Sequence, residues 1–155
     1  MPGNPSEKGI KRNEISRGET EPIFDRVEIA LNIAIYRKAQ EKNQPPSLPK
    51  TERYRQEEPS IQFLWEDDAI TRTIGGYVKK DSLGTWLHIE INAWHDVQGP
   101  DKIALRQWQH QKLFRISAKA GKEFLLDTLT TAHEIVFNWH LSDLTRVTEL
   151  RHRLT

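Results

Sequence analysis

At 155 residues, with 36% apolar and 29% charged side chains and a mean hydropathy of -0.71, the chain is sized for one domain and is more polar than an average globular protein. Its net charge of +1 hides an uneven spread. Residues 59–100 hold 3 basic and 6 acidic side chains and residues 101–155 hold 9 basic and 6 acidic, a dipole too weak to name nucleic acid as the partner. The lack of cysteine excludes disulfides, thiolate metal sites and a cysteine nucleophile, and makes a reducing cytoplasm the expected compartment. No apolar run approaches the roughly 20 residues of a spanning helix, and Met1–Lys8 offers no apolar secretory stretch, so no membrane contact is expected.

Residues 1–20 mix Gly, Pro, Ser, Asn and charges of both signs, with Ile10 and Ile15 as the only branched apolar residues. That surface is too small to offset a backbone ordering entropy of roughly 1–2 kcal/mol per residue, so a disordered leader is expected there and a single α+β domain over residues 21–155. The first helix is predicted over Pro22–Glu41, with Thr20 or Glu21 as cap and Pro22 in a first turn where its missing N–H costs nothing. Phe24, Val27, Leu31, Ala34 and Ile35 recur at 3-and-4 spacing as a buried stripe. Ile29, Ile33 and Tyr36 widen it, which implies cover on more than one side, by the domain itself or by a partner. The Pro-rich connector, residues 43–50, cannot continue the helix.

A period of two then takes over. Strands are predicted over Ser60–Trp65, Ala69–Lys79 and Gly84–Trp94. In the third, Leu87, Ile89, Ile91 and Ala93 point one way and Trp86, His88, Glu90, Asn92 and Trp94 the other. Lys80–Gly84 reads as a hairpin turn of the longer type, with Gly84 free to take positive φ. Gly75-Gly76 suggests a bulge or the close approach of another backbone. Ile103–Ser117 reads as a further strand, with a helical alternative open at its start. Its Gln107, Gln109 and Gln111 cannot form a buried face, so it belongs at an edge or half in water.

Helical spacing returns with Phe124, Leu125, Thr128, Leu129, Ala132, Ile135, Val136 and Trp139. Ser142 can cap a last helix carrying Leu144, Val147, Leu150 and Leu154, with Leu141 as staple. The predicted order is a helix, an antiparallel sheet of three to four strands, and two C-terminal helices packed on one sheet face.

The third strand's polar side carries the functional expectation. Two indoles, Trp86 and Trp94, bracket His88, Glu90 and Asn92, and Thr71, Thr73, Tyr77, Trp108, His110 and Lys112 can join them from neighbouring strands. Such a surface suits a protein partner, since Trp dominates binding hot spots. It also suits bases stacked on aromatic platforms. Two arrangements stay open: this side faces solvent, or the first helix lies across it.

Other chemistries find less support. His88, Glu90 and His110, with His95-Asp96 at the strand end, have spacing too generic for a metal centre, and no metal or other cofactor is expected. His133-Glu134 begins a zincin-like motif, but Phe137 stands where its second histidine belongs. There is no Gly-x-Ser-x-Gly elbow and no phosphate-cradling glycine loop. Arg146, Arg151, His152 and Arg153 suit the negative end of a helix dipole.

The leading expectation is therefore a non-enzymatic adaptor, assembly factor or accessory subunit that binds a protein through Trp86, His88, Glu90, Asn92, Trp94, Trp108, His110 and Lys112. The rival is a nucleic-acid-binding protein, or a metal-independent ribonuclease, using His88, Glu90, His110, Lys112 and Arg106 as acid, base and phosphate clamp. The pattern sets no oligomeric state.

Overall fold

The structure, a computed structural model, describes residues 17–55, 58–67, 70–98 and 104–140, with 17, 96–98 and 104–109 as backbone alone. The element order is α1 (Arg17–Glu41), β1 (Lys50–Tyr54), β2 (Ser60–Asp67), β3 (Ile70–Asp81), β4 (Gly84–Gln98), β5 (Ala104–Ser117) and α2 (Lys122–Asn138). The strands form one antiparallel meander in the order β1-β2-β3-β4-β5. This is the expected α+β architecture with five strands rather than three or four, and with one C-terminal helix among the described residues. The helix expected from Ser142, with its four basic residues, and the leader up to residue 16 lie outside the described residues. No helix of the described residues is long and apolar enough to cross a membrane.

The fold follows from the alternation of the strands. Ile61, Phe63 and Trp65 of β2, Ile74 and Val78 of β3, and Leu87, Ile89, Ile91 and Ala93 of β4 are all buried and share one side of the sheet. Phe24, Val27 and Leu31 of α1 and Leu125, Leu129, Ala132 and Val136 of α2 close the same core. Each fully buried Leu, Ile or Phe contributes about 1.5–3 kcal/mol. Both helices lie on this side, so the first helix does not cross the polar side of β4. Lys38 reaches Glu134 at 3.4 Å, and Arg26 donates to the carbonyls of Ala118 (2.8 Å) and Ala120 (3.4 Å), so α1 and α2 run the same way across the sheet.

Several local expectations are corrected. The first helix begins at Arg17, with Pro22 inside its opening turns. Ile29, Ile33 and Tyr36 are exposed, so among the described residues α1 is covered on one side only. On α2 the buried stripe runs through His133 while Phe124 is exposed. His133 packs against Phe137 (4.6 Å between centroids) and Trp65 (6.1 Å), and burial, with the charges of Lys38 and Lys42, lowers its pKa to about 4. The missed strand, β1, carries no apolar period because the side chains on its helix side are Thr51 and Arg53, and Arg53 is tied to Glu21 (2.6 Å), Asp25 (2.9 Å) and Glu28 (3.7 Å) of α1.

The β3–β4 hairpin closes on two residues, Ser82 and Leu83, rather than on a longer loop. Asp81 Oδ1 accepts from the amides of Leu83 (2.8 Å) and Gly84 (3.0 Å), and Gly84 takes φ 149. The ladder is unbroken through Gly75-Gly76, and the irregularity falls at His95/Asp96 instead. Gly76 lies close against the core: a Cβ there would sit 3.1 Å from Ile61 Cγ2, a tight contact. Arg72, buried on the helix side, donates to the carbonyls of Val136 (3.0 Å) and Trp139 (2.8 Å) and so satisfies the end of α2.

Candidate functional site

Registry builds the other side of the sheet in rows. One row reads Tyr54, Ser60, Tyr77, His88, Arg115 across all five strands; the next reads Glu52, Gln62, Gly75, Glu90, Leu113; the third reads Lys50, Leu64, Thr73, Asn92, Gln111. Trp86 lies beyond the first row beside Lys79, and Trp94 beyond the third beside Thr71. None of the described residues forms a helix over these rows.

Several side chains here are held by their neighbours. The Tyr77 and His88 rings stack at 4.9 Å and 6°. The Trp86 indole donates through Nε1 to Asp81 Oδ1 at 2.9 Å and lies under the Arg115 guanidinium, 4.0 Å from the ring centroid. Arg115 in turn bonds Asp81 at 2.9 Å. The indole N–H, the turn amides and Arg115 together hold the Asp81 carboxyl below its ordinary pKa. Burial, followed by the charges of Lys79 and Arg115, lowers the His88 pKa, so its imidazole is neutral at physiological pH. Its Nδ1 is buried without a hydrogen-bond partner among the described residues.

A hollow of about 350 Å³ opens in the middle row, where Gly75 leaves a gap between the side chains of Gln62, Thr73, Tyr77, Glu90, Asn92 and Trp94. A Cβ on Gly75 would meet nothing closer than 3.8 Å. Glu90 accepts a hydrogen bond from the Gln111 amide across the strands. The Tyr77 hydroxyl has its pKa raised by burial and then by the negative charges of Glu90 and Glu58.

The sequence-predicted set divides between the two sides. Trp86, His88, Glu90, Asn92 and Trp94 come together as expected, joined by Thr71, Thr73 and Tyr77. His110 and Lys112 do not join them, because they pair with Ala93 and Ile91, which face the core. The His110 ring lies 5.2 Å from Trp139, and Lys112 lies over Phe114, both on the helix side. Trp108 stands opposite His95 in the ladder, and its side chain, like that of Arg106, lies outside the described residues. A centre built on His88, Glu90 and His110 is therefore divided by the sheet. The ribonuclease set is divided in the same way. Among the described residues no group of three His, Asp or Glu side chains is placed to hold a metal.

Gln111, Leu113 and Arg115 occupy the β5 places on this side, and Gly75 the floor, and none was expected there. The signal for β5 is the pair Phe114 and Ile116, whose apolar alternation marks the core parity. Exposed Leu113 breaks that signal from the other side. Neither protein-family models, curated proteins nor solved structures yield a match to this chain, so the surface itself is the guide to its function.

Proposed function

We propose that this chain is a non-enzymatic protein-interaction module, an adaptor, assembly factor or accessory subunit of the cytoplasm, that binds its partner through the open side of the sheet. The observation that carries the reading is a sheet face that none of the described helices covers and whose aromatic side chains are held by neighbours: Tyr77 on His88, and Trp86 between Asp81 and Arg115. Side chains ordered before binding lose little entropy on binding, which is worth roughly 0.5–1.5 kcal/mol for each long side chain. Aromatic and arginine side chains are also the types that dominate the energetics of protein interfaces. The residues that acid–base or metal chemistry would need stand on opposite sides of the sheet, which favours recognition over catalysis.

The test is capture of partners by the immobilised protein, before and after nuclease treatment. Trp86→Ala with Trp94→Ala should remove a nuclease-resistant partner while circular dichroism shows a retained fold and a cooperative melt. A folded double variant that captures the same partner at the same level would refute this assignment of the surface.

A further inference from the structure

The hollow over Gly75 has a chemistry of its own, and any occupant assigned to it rests on the open-face reading. Among the described residues, the charges around it are matched except for one. Lys79 pairs with Glu58 at 4.0 Å, Arg115 with Asp81 at 2.9 Å, and Lys50 with Glu52 at 3.6 Å. Glu90 is the one charged side chain lining the hollow, and the partner the structure gives its carboxylate is the neutral amide of Gln111. Tyr77 and Trp94 supply aromatic walls at its opposite ends, and Thr73, Asn92 and Gln62 supply a polar rim. The rings of this side already attract cations: Arg115 lies over Trp86 at 4.0 Å, and Lys79 lies over Tyr77, at one end of the hollow, at 5.4 Å.

We propose that this hollow is a socket for a cationic side chain of the partner protein, a lysine whose methylenes lie over Gly75 and whose ammonium pairs with the Glu90 carboxylate. Three features favour that occupant. The missing side chain at Gly75 provides depth in a sheet that is otherwise paved. The unmatched carboxylate at the wall provides the sign of charge. The aromatic walls favour an alkyl chain ending in a cation over an anionic or purely polar group, because the ring faces are negative. An acidic side chain would meet Glu90 directly, and like charges repel.

The socket can be tested without the partner. Titrating N-acetyl-lysine methylamide into the 15N-labelled full chain should shift the amides of Gly75, Gly76 and Glu90 in a saturable way. The apolar analogue N-acetyl-norleucine methylamide should not reproduce those shifts. Glu90→Gln should weaken the lysine probe about fivefold, the scale of one partly exposed ion pair. Gly75→Val fills the hollow where its Cβ meets only ordinary contacts, so it should abolish the shifts in a folded protein. Equal shifts from both probes, or shifts that survive Gly75→Val, would overturn the socket. If the lysine probe fails while Trp86→Ala with Trp94→Ala still removes the captured partner, the socket is wrong and the open-face reading stands. If capture also survives that double substitution, both fall.

Discussion

The two sides of one sheet answer to different physics. On the helix side β4 presents Leu87, Ile89, Ile91 and Ala93, each 2% exposed or less, and every one of them touches a core closed by two helices. On the other side the same strand presents Trp86, His88, Glu90, Asn92 and Trp94, all half-buried by their neighbours on the sheet. Burial of apolar area makes the first side the source of stability. The second places large aromatic side chains outside the core closed by the helices, and ties Tyr77, His88 and Trp86 to their neighbours by ring stacking, an indole hydrogen bond and a guanidinium. A change on the helix side should therefore cost stability, and a change on the open side should cost binding.

The sharpest way to break that contrast is to cut into the core. Leu129→Ala removes a fully buried side chain between α2 and the sheet, and should lower the unfolding free energy by about 2–5 kcal/mol in urea denaturation. A loss below about 1 kcal/mol would mean that the core is not packed as described.

Acid provides the next largest effect. The buried imidazole of His133 titrates at about 4 in the fold, while an unfolded chain binds that proton near pH 6.5. Protonation thus favours the unfolded chain. Stability from this group is complete above about pH 6.5, falls as the pH is lowered towards 4, and amounts to at most about 3 kcal/mol. Denaturation midpoints measured between pH 7 and 4 should decline, and His133→Leu should flatten the decline. An unchanged slope in that variant would show that His133 does not sit neutral between Trp65 and Phe137.

Arg72→Met tests a polar element of the same side. It leaves the carbonyls of Val136 and Trp139 without their donor, at a cost of about 1–3 kcal/mol in the unfolding free energy. The smallest stability effect belongs to the open side. Trp86→Ala with Trp94→Ala should lower the unfolding free energy by about 1–2 kcal/mol, since both indoles are only partly buried.

Sequence periodicity made β2, β3 and β4 legible because one side of each had to be apolar. It placed their boundaries within a few residues and assigned the sides of β4 correctly. It missed β1, whose inward anchor is an ion-paired arginine rather than an apolar residue, so there was no alternation to read. It misplaced His110 and Lys112 because β5 is an edge strand: Gln111 and Lys112 are both acceptable on a half-wet surface, and only Phe114 and Ile116 fix the parity. The exposed Ile29, Ile33 and Tyr36 of α1 show the converse, since apolar character widened the predicted stripe beyond what the fold buries. The hollow depends on where the ladder places Gly75 relative to Glu90 and Gln62. That is a property of strand pairing, not of any one segment.

The central claim is that binding belongs to the open side of the sheet and stability to the other. The most direct test measures both quantities on one variant: nuclease-resistant partner capture and urea unfolding of Trp86→Ala with Trp94→Ala beside the wild-type chain. The account predicts loss of capture by a variant that still unfolds cooperatively and loses less unfolding free energy than Leu129→Ala. Full capture by the folded variant would contradict it, as would a partner set that disappears from the wild type on nuclease treatment.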